Sequence, residues 1–422
     1  MKAVAFFRNH RKSTYVLSIG NLVSALLLLI RNILIARLVS VEDFGIASSL
    51  AIAVTLIETS TNLALDRMIV QDRRGGQRRF IASLHSIQIL RGIVGAMITL
   101  AFAQTYASVL GLSEHVWAYQ CLAAIPLMRA FCNLAVYRLQ RVLQFGPLVA
   151  VTVVSNGVAL LTALPLGLWL GDFRAMLAVI MLQHLIFVIG SHVASRSRYR
   201  VEWNKKILRD SLGFGAPLLI NGFVIFATLN GDQVLIGSYL GMEALAQFAV
   251  AFALTLVPAT VLANTLQSLM LPGLARSRSD PRAFQLATLA TLRIAFAAAA
   301  LLTILLSLIG PPAIELLFGA RYDLAAALLP WLAVLQGVRI AKAGPAILAI
   351  ASADTLDPLI ANLARLACLP VAVIWLANGA NILSVVSVAV LGEVLALLVS
   401  IGLLVRRGNL TVSGFVRVPG HG

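Results

Sequence analysis

The chain is short of charge, and shortest of negative charge. Of 422 residues only 12% are charged, and 33 lysines and arginines face 17 aspartates and glutamates. Soluble domains carry about 25% charged residues, so so little charge in so long a chain excludes an ordinary soluble protein. Cysteine is scarce too. Cys121, Cys132 and Cys368 all lie in apolar runs without a CxxC spacing, which excludes a disulfide framework and a thiolate metal site. Histidine numbers six, and His85, His184 and His192 are not spaced as metal ligands. There is no Walker A loop, no GxSxG elbow and no HExxH, so ATP-driven transport and the common hydrolases have no foothold here. Long polar connections are also missing, which leaves no room for an extramembrane catalytic domain. No cofactor and no metal are expected, and no cleavable signal is expected after Lys12.

What is abundant is apolar sequence, 60% of the chain. It falls into about twelve segments of spanning length: 14–38, 46–70, 81–109, 116–137, 147–170, 175–195, 212–240, 244–273, 283–309, 323–352, 355–377 and 381–405. The segments are also written twice. Shifted by about 200 residues, Leu34-Ile35-Ala36-Arg37-Leu38 lies on Leu235-Ile236-Gly237-Ser238-Tyr239, and Glu42 lies on Glu243. Leu90-Arg91 lies on Leu292-Arg293, and Pro126 on Pro330. Asn156, Pro165 and Trp169 lie near Asn362, Pro370 and Trp375. The expected fold is all-α and integral to the membrane, with about 12 transmembrane helices. They form two six-helix lobes, 1–200 and 201–422, related by a pseudo-twofold along the membrane normal.

The net charge of +16 would point to nucleic acid in a soluble chain. Here roughly twenty-two basic residues occupy alternate connections and the termini, against about two on the other side. They include Lys2, Arg8, Arg11 and Lys12, the run Arg73-Arg74-Gly75-Gly76-Gln77-Arg78-Arg79, Arg138 and Arg141, and the group Arg196, Arg198, Arg200, Lys205, Lys206 and Arg209. Arg276, Arg278 and Arg282, then Arg406, Arg407 and Arg417, complete the set. Topology therefore accounts for the charge, with both termini cytoplasmic and no nucleic-acid partner. The connection from Ser352 to Asp357 departs from this trend, being acidic.

Charge inside the apolar runs is costly and marks function or a structural pair. The basic candidates are Arg31, Arg67, Arg91, Arg129, Arg293, Arg339, Lys342 and Arg365, and the acidic ones Glu58, Asp66, Asp232 and Glu393. Arg67 and Lys342 lie near helix ends, from which they can snorkel to headgroups. Glu393 reads as an interhelical hydrogen-bonding group, and Glu58 is poised between packing and ion coupling. Arg91 and Arg293 share one position in the two repeats, either as a site or as paired snorkelling arginines. Arg31 and Asp232 share another with opposite charge, open to an ion pair or to separate anion and coupling-ion roles. Arg129 and Arg365 are near mid-span, where snorkelling is least available. The excess of guanidinium groups suits an anionic substrate, because their donor fork matches phosphate oxygens and never titrates away. Gly213-Phe214-Gly215-Ala216-Pro217 reads as a bend or a helix start at the opening of the seventh span.

Ile30-Arg31-Asn32-Ile33-Leu34-Ile35-Ala36-Arg37-Leu38 with Val41-Glu42-Asp43-Phe44-Gly45 resembles the opening of bacterial polysaccharide flippases. Asn230-Gly231-Asp232-Gln233-Val234-Leu235-Ile236-Gly237 with Leu240-Gly241-Met242-Glu243-Ala244 resembles the start of their second half. The wider group is the multidrug/oligosaccharidyl-lipid/polysaccharide exporter superfamily, and the resemblance runs to about residue 405. Ser40-Val41 stands where the family shows Gly-Pro, and Phe248 where a Tyr is usual, which leaves local turn geometry open.

The resemblance implies a flippase, not an enzyme, in a bacterial inner membrane. Its substrate would be a polyprenyl-pyrophosphate-linked oligosaccharide, such as an O-antigen or exopolysaccharide repeat unit. A polysaccharide polymerase and a chain-length regulator would be its partners. Arg31, Arg91, Arg129, Arg293 and Arg365 are the expected substrate-binding residues, with Glu58 and Asp232 for ion coupling. The alternatives are a drug/cation antiporter of the same superfamily, which needs an acid-rich cavity, and a membrane-embedded glycan polymerase or ligase, which needs catalytic loops.

Overall fold

The computed structural model describes residues 2–195, 197–352, 354 and 356–406, with side chains from residue 15 onward except at 281. The expected cytoplasmic positions of Arg196, Arg407 and Arg417, and the side chains of Lys2, Arg8, Arg11 and Lys12, lie outside the described residues.

Among the described residues the regular structure is all helical. The α-helices are α1 (Lys2–Leu38), α2 (Val41–Thr61), α3 (Leu65–Gln71), α4 (Arg78–Val109), α5 (Val116–Cys121), α6 (Ala124–Ala130), α7 (Gly146–Leu170), α8 (Arg174–Ser195), α9 (Lys205–Ser277), α10 (Pro281–Phe318), α11 (Asp323–Ala351), α12 (Leu356–Leu366), α13 (Leu369–Ala377) and α14 (Ile382–Arg406). Ten helical segments are long and apolar enough to cross a bilayer, and a bent pair over 113–142 makes up to eleven. Apolar side chains such as Leu161, Leu168, Trp169, Leu308 and Leu316 stand exposed along them. That is a surface for lipid, where apolar exposure costs nothing, and the chain is a multi-pass membrane protein.

The breaks have local causes. The segment expected over 46–70 ends at Thr61, because Asn62 caps it and Ala64 takes a left-handed φ of 50°. The Asn62 side chain accepts from the Ala64 N–H at 2.9 Å and so offers the backbone an alternative to the helix. The segment expected over 116–137 is α5, α6 and a 3-10 turn at Leu134–Val142, bent by 55°. Asn133 starts that turn by accepting from Ala135. The segment expected over 355–377 is α12 and α13, parted near Cys368 where Pro370 removes a donor.

The seventh and eighth expected spans are one run of 73 residues, α9, with a non-helical residue at Gly241, φ 85° and ψ 179°. A straight helix of that length would reach about 110 Å, several bilayer cores, so the chain must turn within it. Gly241 supplies the left-handed φ that a side chain resists. Gly213–Pro217 is neither a bend nor a start, since helix runs through it from Lys205. Gly215 instead lets the helix approach Leu63 closely. At Ser40 the backbone is extended (φ −65°), and the Ser40 hydroxyl accepts from the Asp43 N–H at 3.0 Å, so an ordinary N-cap stands where the family has Gly-Pro.

Two compact units emerge, one of residues 1–226 with 241–246, the other of 227–240 with 247–422. In the first, α7 packs on α1 and α8, and α4 on α6. A core of Leu65, Ile69, Phe80, Leu84, Leu134 and Ile207 closes one end. In the second, α11 packs between α10 and α14, and α12 lies on α14. Gly337 and Gly344 of α11 face Thr303 and Ala295 of α10, the close small-residue packing that holds helices together in lipid.

Candidate functional site

Each unit carries an intramembrane cluster of charge. In the first, Glu58 on α2 meets Arg129 on α6, with Arg129 Nη2 at 3.0 Å and Nε at 3.3 Å from Glu58 Oε1. His184 Nδ1 on α8 lies 3.9 Å from the same oxygen. Arg129 also stacks over the Phe187 ring at 4.3 Å. Gln88 on α4 donates to the Arg129 carbonyl at 2.6 Å and holds the broken α6 end in place. A cavity of about 160 Å³ opens beside these groups, lined by Glu58, Asp66, Gln88, Arg91, Arg129 and Tyr137 among others. Pro126 and the α5–α6 break put Arg129 on this wall, while Gly92 and Gly95 bring α4 and its Arg91 close to α6. Arg91 has no carboxylate within ion-pair distance among the described residues, although Glu58 and Asp66 share its cavity.

Arg31 on α1 has no carboxylate within ion-pair distance among the described residues. Its Nη1 donates to Gln183 Oε1 at 2.7 Å, its Nη2 to Asn32 at 3.1 Å, and Gln183 passes the chain to Asn156 at 2.9 Å. A buried guanidinium held only by neutral amides keeps its full positive charge available to an anion.

In the second unit three cations surround two carboxylates. Arg339 Nε lies 2.8 Å from Glu393 Oε1 and Lys342 Nζ 2.6 Å from Glu393 Oε2. Arg365 Nη2 lies 2.5 Å from Asp232 Oδ2, and its Nε 3.8 Å from Glu393. Arg365 is fully buried, and Glu393 and Asp232 nearly so. One positive charge remains over. Asp232 Oδ1, Arg339 Nη1, and Arg365 Nε and Nη1 are buried without hydrogen-bond partners among the described residues. A second cavity, of about 110 Å³, borders Lys342, Asp357, Asn362 and Ser400. Arg293 on α10 belongs to neither cluster. It is exposed, with no ion-pair partner among the described residues.

The seven residues singled out in the sequence therefore divide. Glu58, Arg91 and Arg129 share one cavity of the first unit, and Asp232 and Arg365 one buried pair of the second. Arg31 is held by amides, and Arg293 stands alone. Asp232 is taken up by Arg365. Lys342 does not snorkel to an interface but grips Glu393, so the sequence reading missed Arg339 and Lys342 as a unit. The signal was present: Arg339 and Lys342 are three apart on one helix, hence on one face, and Glu393 is the lone acid of the last span. His184 and Gln183 gave no signal, because only tertiary packing brings them to Glu58 and Arg31.

Comparison with known proteins fits this fold. The chain resembles an inward-facing multidrug resistance MATE family transporter of the MOP superfamily, at TM-score 0.75 and 15% identity, over 91% of this chain and 94% of that one. It also resembles the lipid II flippase MurJ in an inward closed conformation, at TM-score 0.67 and 14% identity, over 94% and 88%. The succinoglycan biosynthesis transport protein ExoT of Rhizobium meliloti (strain 1021) is 20% identical over 312 residues, 72% of this chain. That match spans 62% of ExoT, less than two thirds of its length. A family described as polysaccharide biosynthesis protein matches residues 34–327, and the chain belongs to that family.

Proposed function

We propose that the chain is a flippase, not an enzyme, that moves a polyprenyl-pyrophosphate-linked oligosaccharide across a bacterial inner membrane by alternating access. The observation that carries this reading is the set of guanidinium groups held inside spanning helices of a polysaccharide biosynthesis family member without a carboxylate at ion-pair distance among the described residues. Among the described residues Arg31, Arg91 and Arg293 have no carboxylate within ion-pair distance, and each offers a planar fork to pyrophosphate oxygens. Arg129 and Arg365 are the further substrate-binding residues, reached when their carboxylates let go. Glu58 and Asp232 are the ion-coupling residues, since a proton or metal cation that takes the carboxylate frees the arginine.

In this reading the two six-helix lobes are residues 1–200 and 201–422. Counting the arms of α9 on either side of Gly241 separately, and the bent pair as one span, gives twelve spans, with both termini cytoplasmic. A polysaccharide polymerase and a chain-length regulator would take the product on the far side. A drug/cation antiporter is favoured by the likeness to a MATE transporter, but such a cavity wants excess acid, and the first cavity sets Glu58 and Asp66 against Arg91 and Arg129 with no acid in excess.

The test is reconstitution into liposomes with a fluorescent lipid-linked oligosaccharide in the outer leaflet. Protein-dependent loss of accessibility to a membrane-impermeant quencher is the expected result. No movement of the glycolipid, together with exchange of a cationic dye for protons, would replace this reading with the antiporter.

A further inference from the structure

A second concentration of positive charge lies outside both clusters. Near one end of α4 and of α8 in the first unit, Arg78, Arg138, Arg198 and Arg200 line a pocket of about 340 Å³ with His85 and Ser197. None of the four has a carboxylate within ion-pair distance among the described residues. Nearby Arg74 is different, with Asp72 at 2.8 Å and Asp210 at 2.9 Å. The four arginines are left to repel one another, which invites an anion between them.

The pocket is built, not a loose fringe of basic tails. Residues 197–204 form no helix and are strapped to α4. Ser86 donates to the Glu202 carbonyl at 2.7 Å, and the Glu202 N–H to the Ala82 carbonyl at 3.2 Å. The Leu134 N–H donates to His85 Nε2 at 3.1 Å, so Nδ1 carries the proton and donates to the Arg200 carbonyl at 2.9 Å. His85 is thereby neutral and acts as a peg. Tyr199 stacks on it at 4.2 Å and donates to the Ala130 carbonyl at 3.3 Å. Asn133 donates to the Ser197 carbonyl at 3.0 Å. With Tyr199 pinned inward, Arg198 and Arg200 on either side of it stand exposed and both line the pocket.

The depth of the pocket says what kind of anion fits. Arg78 is the first residue of a spanning helix, and Ser197 follows the end of another by two residues, so the pocket lies at headgroup level. Exposed Val193 and Trp203 flank it in sequence, an aromatic and an aliphatic side chain available to acyl chains at the interface. Clustered arginines at that level recognise lipid phosphate. We propose that this pocket binds the phosphate group of an anionic lipid headgroup in the leaflet that Arg78, Arg138, Arg198 and Arg200 face. The same chemistry is offered by a bulk phospholipid diester and by a polyprenyl pyrophosphate, and the experiment separates them.

Purified protein in phosphatidylcholine nanodiscs at about 0.15 M salt, where long-range attraction is screened, is titrated with phosphatidylglycerol, with sugar-free polyprenyl pyrophosphate, and with inorganic pyrophosphate. Native mass spectrometry counts the lipid retained. Wild-type protein should retain a phosphate-bearing lipid over phosphatidylcholine. The variant R78Q/R138Q/R198Q/R200Q should lose that preference by about tenfold or more, since each charge-assisted contact is lost. Arg78, Arg198 and Arg200 are exposed and Arg138 only half-buried, so the variant should stay monodisperse on gel filtration, and R276Q, at an exposed arginine outside the pocket, should keep the preference for phosphatidylglycerol. Retention of phosphatidylglycerol identifies the bulk lipid as the source, and retention of the pyrophosphate alone identifies the carrier. Equal retention of phosphatidylcholine, an unchanged preference in the quadruple variant, or inorganic pyrophosphate binding as tightly as the lipids would each overturn the proposal.

Discussion

Glu58 and Arg129 meet at 3.0 Å with 38% and 30% of their side chains exposed, whereas Asp232 and Arg365 meet at 2.5 Å with 4% and 0%. The first pair lines a cavity and the second is sealed among helices. An ion pair that opens on a cavity can exchange its partner for water, an ion or a substrate at small cost. A sealed one does so only when the helices around it part, because each buried charge left alone forfeits its compensation. The two units thus hold the same residue types differently, with a readily opened pair in the first and, in this conformation, a tie between α9, α11, α12 and α14 in the second.

That comparison can be broken most forcefully at Glu393. Glu393→Ala leaves Arg339 and Lys342 with no carboxylate within hydrogen-bond reach among the described residues. It should destabilise the protein by about 3 to 5 kcal/mol, read as the unfolding midpoint of the purified protein in detergent. A loss below about 1 kcal/mol would show that the second cluster is not a tie. Glu58→Gln should behave in the opposite way. Its stability cost should stay near 1 kcal/mol because the cavity hydrates what it leaves, while glycan export should fall about tenfold. Export that is unchanged while the unfolding midpoint drops sharply would reverse the roles of the two clusters.

The smallest effect concerns the polar connection before α4. The Arg74 guanidinium hydrogen-bonds the Asp72 carboxylate and holds it below the usual carboxylate range. A depressed folded-state pKa stabilises at pH above the unfolded value, about 4, and that contribution is lost as pH falls through the lower, folded value. Asp72→Asn should therefore lower the midpoint at neutral pH by less than about 1 kcal/mol, and wild type and variant should converge on acidification. A gap that widens in acid would contradict the sign.

Much of the architecture is legible in the sequence, because lipid demands long apolar runs and the runs are there. Their breaks are less legible. Gly213–Pro217 advertises a break and has none, since Gly215 spends its freedom on packing against Leu63. Gly241 makes the real turn and looks like any other glycine. The site shows the same division. A charge in an apolar run announces itself, as Arg31, Arg129 and Arg365 do, but its partner depends on which helices touch. Arg365 finds Asp232 across 133 positions and Arg129 finds Glu58 across 71, separations that no periodicity encodes. Arg91 and Arg293 look interchangeable in sequence, 13 residues after Arg78 and 12 after Pro281, yet one lines a cavity and the other is exposed.

Glycan export by cells carrying Arg91→Ala, Arg293→Ala and both together, with membrane levels of the protein matched, tests the central assignment most directly. Each single change should weaken export, the double change should reduce it by about a hundredfold, and Arg→Lys should restore it only in part because the bidentate fork is gone. Normal export from a stable double-alanine protein would contradict the reading of these arginines as pyrophosphate-binding residues.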